Sequence, residues 1–315
     1  MLTNIFIDPR YSEILRREQE LETLIYNILG FPLDSISTSA DSRIGGRIDI
    51  RGRLPTEGIK FRESEYYYHN KSIIHFTNID AANSILENAT LRLYNLYYKN
   101  DSKEFLYVSE LLDGFCKPTE SFCYDIETET KEIRYNTFIL SATTIKRIKD
   151  FWNKNYSMKG KGVGIELSFI NNPDNWAGFY LSPVKYGQIS KFIDLRNKLI
   201  ELKEKHKNVD YKINLNQLIP FHKDAKWADE HEIRLMTFFP QEFKLQTYLD
   251  TGNENVKCIK LPLLSNEFNN KTFPYHKIPF MKIENIHLGP KMENNDIKKL
   301  KQIIKANYFY NIGLL

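Results

Sequence analysis

The sequence predicts an α+β fold with mixed and antiparallel sheets and flanking helices. Strand-like and helix-like segments follow one another without the regular alternation of a doubly wound parallel sheet. No G-x-G-x-x-G joins a strand to a helix and no G-x-x-x-x-G-K-S/T occurs, so two common phosphate-binding folds are not encoded. The 315 residues, 42% of them hydrophobic, suffice for one large core. We expect an N-terminal helical extension and loop over residues 1–70 and an α+β, catalytic-like domain over 71–315.

Residues 8–30 read as a helix. Ile14, Leu21, Leu24, Ile25 and Ile28 fall near helical spacing, and Gly30 followed by Pro32 supplies a stop. Residues 33–66 are polar and contain Arg43-Ile44-Gly45-Gly46-Arg47 and Arg51-Gly52-Arg53. They read as a loop or extended connection whose arginines are solvated rather than phosphate-bound. Residues 72–76 form a strand with His75 near its end. Thr77 or Asn78 caps a helix over 79–87 that turns Ile79, Ala82, Ile85 and Leu86 inward.

A short strand follows over 90–94, and a further helix is expected to run through Leu112, with Asp101 as its cap and Glu104 as the capping-box partner. Strands are expected over 137–141, 163–169, 179–186, 232–239 and 283–288. The segment 163–169 alternates strictly through Val163, Ile165, Leu167 and Phe169. Charged amphipathic helices are expected over 191–207 and 296–308.

Composition bounds the partners. A net charge of +4 permits contact with nucleic acid without arguing for it. No apolar run approaches the ~20 residues of a membrane helix, and the N-terminus lacks the pattern of a secretory signal. Cys116, Cys123 and Cys258 form neither an even set nor a C-x-x-C pair, so a disulfide framework or a zinc ribbon is not expected. Reduced thiols in a cytoplasm fit better. No His/Cys/Asp/Glu spacing suggests a metal site.

Two polar doublets carry the chemistry. His75 and Thr77 are two apart on a strand and share a face, where an imidazole and a hydroxyl can grip a diol. A strand-end histidine and a helix cap would look the same. Glu230 and Glu232 are also two apart, at an expected strand start. Two carboxylates on one face suit one ionised group plus one general base, whereas a solvated edge would pair Glu232 with Lys223, Lys226 or Arg234. Trp227, just upstream, either stacks on a flat ring or fills the core.

The order of these pieces is more specific than any one of them. Ile74-His75-Phe76-Thr77 precedes Leu91-Arg92-Leu93 and Asn100-Asp101-Ser102-Lys103-Glu104. Ser141, Trp152 and Gly162-Val163-Gly164-Ile165 follow, and Lys223, Trp227, Glu230, Glu232 and Arg234 close the series. From about residue 73 to 290 this resembles a bacterial family of uncharacterised proteins, a domain of unknown function. Its pattern is H-x-T, N-D-x-x-E, S, W, G-V-x-I and K-x-x-x-W-x-x-E-x-E-x-R.

That layout is in turn similar to the ADP-ribosyltransferase superfamily, in which a strand-end His, a Ser/Thr or Tyr and a late Glu surround NAD. The resemblance implies that His75 holds the nicotinamide-side ribose and that Thr77 contacts the nicotinamide amide or the same ribose. Ser141 would support the late Glu or the ribose, and Tyr97 or Tyr98 would stack on nicotinamide, with Trp227 a further NAD contact. Glu232 would be the catalytic carboxylate at the 2′-hydroxyl, and Glu230 would activate the acceptor.

The implied enzyme is a toxin or antiviral defence effector that modifies RNA, DNA or protein, with an antitoxin or defence-system partner. Long charged segments depart from the aromatic-rich loop usual before the late Glu, which leaves the acceptor open. Two competitors remain: a non-catalytic nucleotide or nucleic-acid binding module, and a metal-dependent nuclease built on Asp101, Glu104, Glu230 and Glu232.

Overall fold

The computed structural model describes residues 9–41, 47–55, 61–70, 72–96, 108, 134–144, 152, 155–215, 217–238, 246–250, 253–269, 271 and 277–315. The fold is α+β, with mixed and antiparallel sheets. The chain opens with α1 (Pro9–Leu29), which stops where the expected glycine stands: Gly30 takes φ +83 and its N–H bonds Tyr26 O at 2.9 Å.

Next come β1 (Ser35–Asp41), β2 (Arg47–Arg53), β3 (Ser72–Thr77), α2 (Ile79–Asn88), β4 (Thr90–Asn95) and β5 (Thr137–Ala142). They are followed by β6 (Val163–Phe169), β7 (Phe179–Pro183), β8 (Lys185–Tyr186), α3 (Ser190–Lys205), β9 (Val209–Asn214) and β10 (His222–Lys223). The chain closes with β11 (Ile233–Phe238), β12 (Thr247–Asp250), β13 (Asn253–Pro262), β14 (Met281–Leu288), α4 (Asn294–Asn307) and β15 (Gly313–Leu314).

A six-stranded antiparallel sheet runs β12-β13-β4-β5-β11-β7, and a four-stranded sheet runs β15-β14-β6-β3. Their inner faces share one core. Leu91, Leu93, Phe138, Leu140 and Leu235 come from the larger sheet, and Ile73, Ile165, Leu167, Ile283 and Ile286 from the smaller. α2 and α4 close that core with Ala82, Ile85, Leu86, Leu300 and Ile303. Strand periodicity sends the alternate residues of the larger sheet the other way. Ile139, Tyr180 and Met236 enter a second core with Leu21, Ile25 and Leu29 of α1, Phe192, Leu195 and Leu199 of α3, and Tyr211 and Ile213 of β9. Strands β5, β11 and β7 of the larger sheet are thus buried on both faces.

The segment 33–66, expected as a loop or an extended connection, is extended in part: it carries β1 and β2, an antiparallel pair that continues in parallel onto β9. The N-terminal segment is therefore tied by backbone pairing and by the second core to residues 190–221. The strands at β9, β12 and β13 were not expected. The helix expected through Leu112, with Asp101 and Glu104, falls almost wholly outside the described residues.

Two contacts position the candidate site. Asn78 caps α2, its Oδ1 accepting from Ala81 N at 2.8 Å, so the helix starts as β3 ends. β3 is the outer strand of its sheet. Ile74 and Thr143 exchange backbone hydrogen bonds of 3.0 and 2.9 Å, stitching β3 to the end of β5 in the other sheet.

Ile165 is fully buried at the centre of the shared core. Replacing it with Ala leaves a cavity between the sheets, and urea denaturation should show a loss of about 2–5 kcal/mol. A cost under half a kcal/mol would contradict this packing.

Candidate functional site

At the Ile74–Thr143 seam a cleft of ≈ 520 Å³ opens. β3 contributes His75 and Thr77, the start of α2 contributes Asn78 and Ala81, and β4 contributes Arg92 and Tyr94. β5 and its end add Ser141 and Thr143, and Lys223, Glu230 and Glu232 complete the lining. Two doublets more than 150 residues apart in sequence therefore face one space.

His75 is fixed by a hydrogen bond from Nδ1 to the Ser141 carbonyl, 2.9 Å long. A carbonyl only accepts, so Nδ1 carries the proton, and when the ring is neutral Nε2 is its acceptor. Ser141 thus contributes its backbone to the orientation of His75. Across the β5–β11 register it stands opposite Arg234.

The carboxylates meet in a way strand spacing does not foresee. The same-face arrangement expected for Glu230 and Glu232 is corrected. Glu230 ends a 3-10 turn, Ala225–Glu230, and His231 takes a left-handed conformation at φ +45, so β11 begins only at Ile233. This reversal brings both carboxylates to one ammonium. Lys223 Nζ lies 2.7 Å from Glu230 Oε2 and 2.6 Å from Glu232 Oε2.

Glu232 is gripped from behind by Arg234, through Nε to Oε1 at 2.9 Å and Nη2 to Oε2 at 3.0 Å. Arg234 is fully buried and also donates to Pro220 O, and Glu232 N donates to the Tyr186 hydroxyl at 2.9 Å. The pairing of Glu232 with Lys223 and Arg234 is thus present, but in a buried network rather than at a solvated edge. Paired, hydrogen-bonded charges are the form in which carboxylates tolerate such burial. Thr143 Oγ1 donates to His231 O at 3.1 Å and ties the reversal to the seam.

Behind this network, His222 is 2% exposed, shares a 3.0 Å hydrogen bond with the Tyr66 hydroxyl and packs edge-on against Phe192. Burial lowers its pKa from 6.5 to about 3, so it is a neutral support. Burial likewise raises the Tyr186 phenol.

Of the residues expected at the site, His75, Thr77, Ser141, Glu230 and Glu232 line the cleft. Trp227 is not among the lining residues: it is 39% exposed on the 3-10 turn, with Lys226 Nζ 5.6 Å from its ring centre. Tyr97 and Tyr98 lie outside the described residues, as do Asp101 and Glu104. Among the described residues no three His, Cys, Asp or Glu converge as a metal site.

Sequence reasoning passed over Arg92, Tyr94 and the central place of Lys223. The signal for Arg92 was present, since a charge between buried Leu91 and Leu93 in a strand points away from the core.

A family model described as Protein of unknown function (DUF2971) matches residues 151–235. That span contains Lys223, Trp227, Glu230, Glu232 and Arg234, but neither His75 nor Thr77. No curated protein and no solved structure matches the chain.

The buried His222 gives a pH signature. Its folded pKa is depressed, so between about 3 and 6.5 the unfolded chain binds the extra proton, and stability falls as pH drops through that window. His222→Gln can still meet Tyr66 but cannot take up a proton. Its stability, followed by urea denaturation from pH 7 to pH 4, should decline less steeply than that of the wild type; parallel curves would contradict the assignment.

Proposed function

We propose that the chain is an NAD-dependent, ADP-ribosyltransferase-like enzyme, a toxin or defence effector that modifies nucleic acid or protein. The observation that carries this reading is the convergence of His75, Thr77 and Ser141 with Glu230 and Glu232 on one cleft. Its volume is in the range of small-molecule and cofactor sites.

NAD is the substrate. His75, through Nε2, accepts a hydroxyl of the nicotinamide-side ribose, and Thr77 contacts the same ribose or the nicotinamide amide. Glu232 accepts the 2′-hydroxyl and places negative charge beside the anomeric carbon. Although Arg234 and Lys223 already bond it, a carboxylate has about four acceptor sites, so a substrate hydroxyl can be added. The C1′–N bond breaks with its electron pair leaving on nicotinamide, which becomes neutral, and the oxocarbenium carbon is stabilised by Glu232. A lone pair of the acceptor forms the new bond, and the acceptor's proton passes to Glu230. Arg92, on the β4 wall, supplies positive charge for the diphosphate.

The macromolecular acceptor is RNA, DNA or protein. An antitoxin or defence-system partner would restrain the activity, and the setting is the cytoplasm, where NAD is present. A second reading, a binding module without turnover, draws support from one feature: both oxygens of Glu232 already accept from cationic side chains.

Incubation with nicotinamide-labelled NAD and candidate acceptors, RNA included, should release nicotinamide. Glu232→Gln should lower that rate by about 100-fold or more while the circular dichroism spectrum stays that of the wild type. Full activity in this variant would remove Glu232 from the catalytic role. NAD binding without release, with Glu232→Gln leaving affinity unchanged, would favour the binding module. Arg92→Ala should raise KM for NAD about tenfold and leave kcat within twofold; an unchanged KM would remove Arg92 from the diphosphate site.

A further inference from the structure

Lys223 is placed by two backbone devices. On one side, β10 lies in parallel against β8, and Gly187 N donates to Lys223 O at 2.9 Å. Gly187 stands at φ +66, and a Cβ there would come within 2.9 Å of the Ala225 side chain. The close approach therefore needs glycine in both conformation and bulk. On the other side, the left-handed His231 folds Glu230 back over the same ammonium. The Lys223 side chain is 8% exposed, and Nζ reaches both carboxylates within 2.7 Å.

We propose that Lys223 is a positioning residue of the site: its ammonium holds the Glu230 and Glu232 carboxylates side by side against their mutual repulsion, so that Glu230 can receive the acceptor's proton. This rests on the transferase reading above. Without a cation between them, two carboxylates this close share a proton, since like charges at short range resist joint ionisation.

The other charged groups around Lys223 do not take its place. Arg234, on β11, grips Glu232 and donates to Pro220 O. Lys185, on β8, points to Glu65, at 3.4 Å. The Tyr186 hydroxyl accepts from the Glu232 backbone. His222, the neighbour on β10, faces Tyr66 and is kept neutral by burial. On the 3-10 turn, Lys226 is 3.8 Å from Asp224, and both are exposed in large part, as is Asp229. From the opposite walls His75, Arg92 and Tyr94 bring titratable or charged groups to the described cleft. Among the described contacts, Lys223 is thus the group that touches both members of the pair.

The pH profile of nicotinamide release and a carbon-13 NMR titration of glutamate carboxyls test this on the full chain. In Lys223→Met the acidic limb of kcat should move up by at least one pH unit, whereas Lys223→Arg should keep the wild-type limb. In the carbon-13 titration, adding Glu230→Gln to Lys223→Met should return proton uptake by Glu232 to lower pH, because only one carboxylate remains. An acidic limb unmoved by Lys223→Met overturns the proposal, as does a Glu232 titration that stays shifted in the double variant.

The NMR titration separates this proposal from the transferase reading, because it needs no turnover. If the wild type releases no nicotinamide, the reaction fails. The Glu230 and Glu232 signals, assigned from their Gln variants, then decide on Lys223: first proton uptake at higher pH in Lys223→Met supports it, and an unmoved titration overturns it. Should Lys223→Met not fold, Lys223→Gln, uncharged but still a hydrogen-bond donor, is read in its place.

Discussion

One ammonium between two carboxylates organises this molecule's cleft. Lys223, Glu230, Glu232 and Arg234 make a four-membered set of alternating charge. Three of them are almost wholly buried, and Glu230 is only partly exposed. Moving such groups out of water costs several kcal/mol each, and mutual pairing recovers that cost only when the geometry is good. The bidentate Arg234–Glu232 contact and the short Lys223 bonds meet that condition. Removing one member would strand its partners, at about 3–5 kcal/mol. The set is thus poorly suited to drift, and the reversal at His231 is held with it.

The rest of the fold works as a frame for that set. Strands β5, β11 and β7, packed on both faces, make a rigid base from which Arg234 reaches Glu232. The four-stranded sheet presents its outer strand, β3, and the Ile74–Thr143 stitch fixes how far β3 can stand from β5. His75 hangs from the Ser141 carbonyl in that gap. Each side of the cleft therefore belongs to a different sheet, and the shared core sets the distance between them. This is how rigid elements, rather than loops, come to hold most of the polar groups.

Local pattern made part of this legible. The stop of α1 at Gly30, the cap of α2 at Asn78 and the alternation of β6 are short-range signals, and the chain obeys them. The period of a strand also placed His75 and Thr77 on one face. It misled at Glu230 and Glu232: their spacing of two reads as a strand, but a 3-10 turn and one left-handed residue produce the convergence instead. β1, β2 and β9 hid for another reason. Ser35–Asp41 and Arg47–Arg53 carry few apolar residues, and the β9 strand that β2 pairs with on its other side lies beyond residue 208, so pairing rather than propensity makes them strands. In β13 the adjacent apolar residues Cys258 and Ile259 break the alternation. Lys223 was visible only as one charge in a run of charges; its role depends on contacts that no local window contains.

The claim that this cleft takes NAD, with His75 and Glu232 on either side of the nicotinamide ribose, is tested most directly by a crystal structure of the Glu232→Gln variant grown with NAD. The transferase reading predicts NAD in the gap between β3 and β5, with ribose hydroxyls within hydrogen-bonding distance of residue 232 and of His75 Nε2. A dinucleotide bound elsewhere, or one that reaches neither residue, would contradict it.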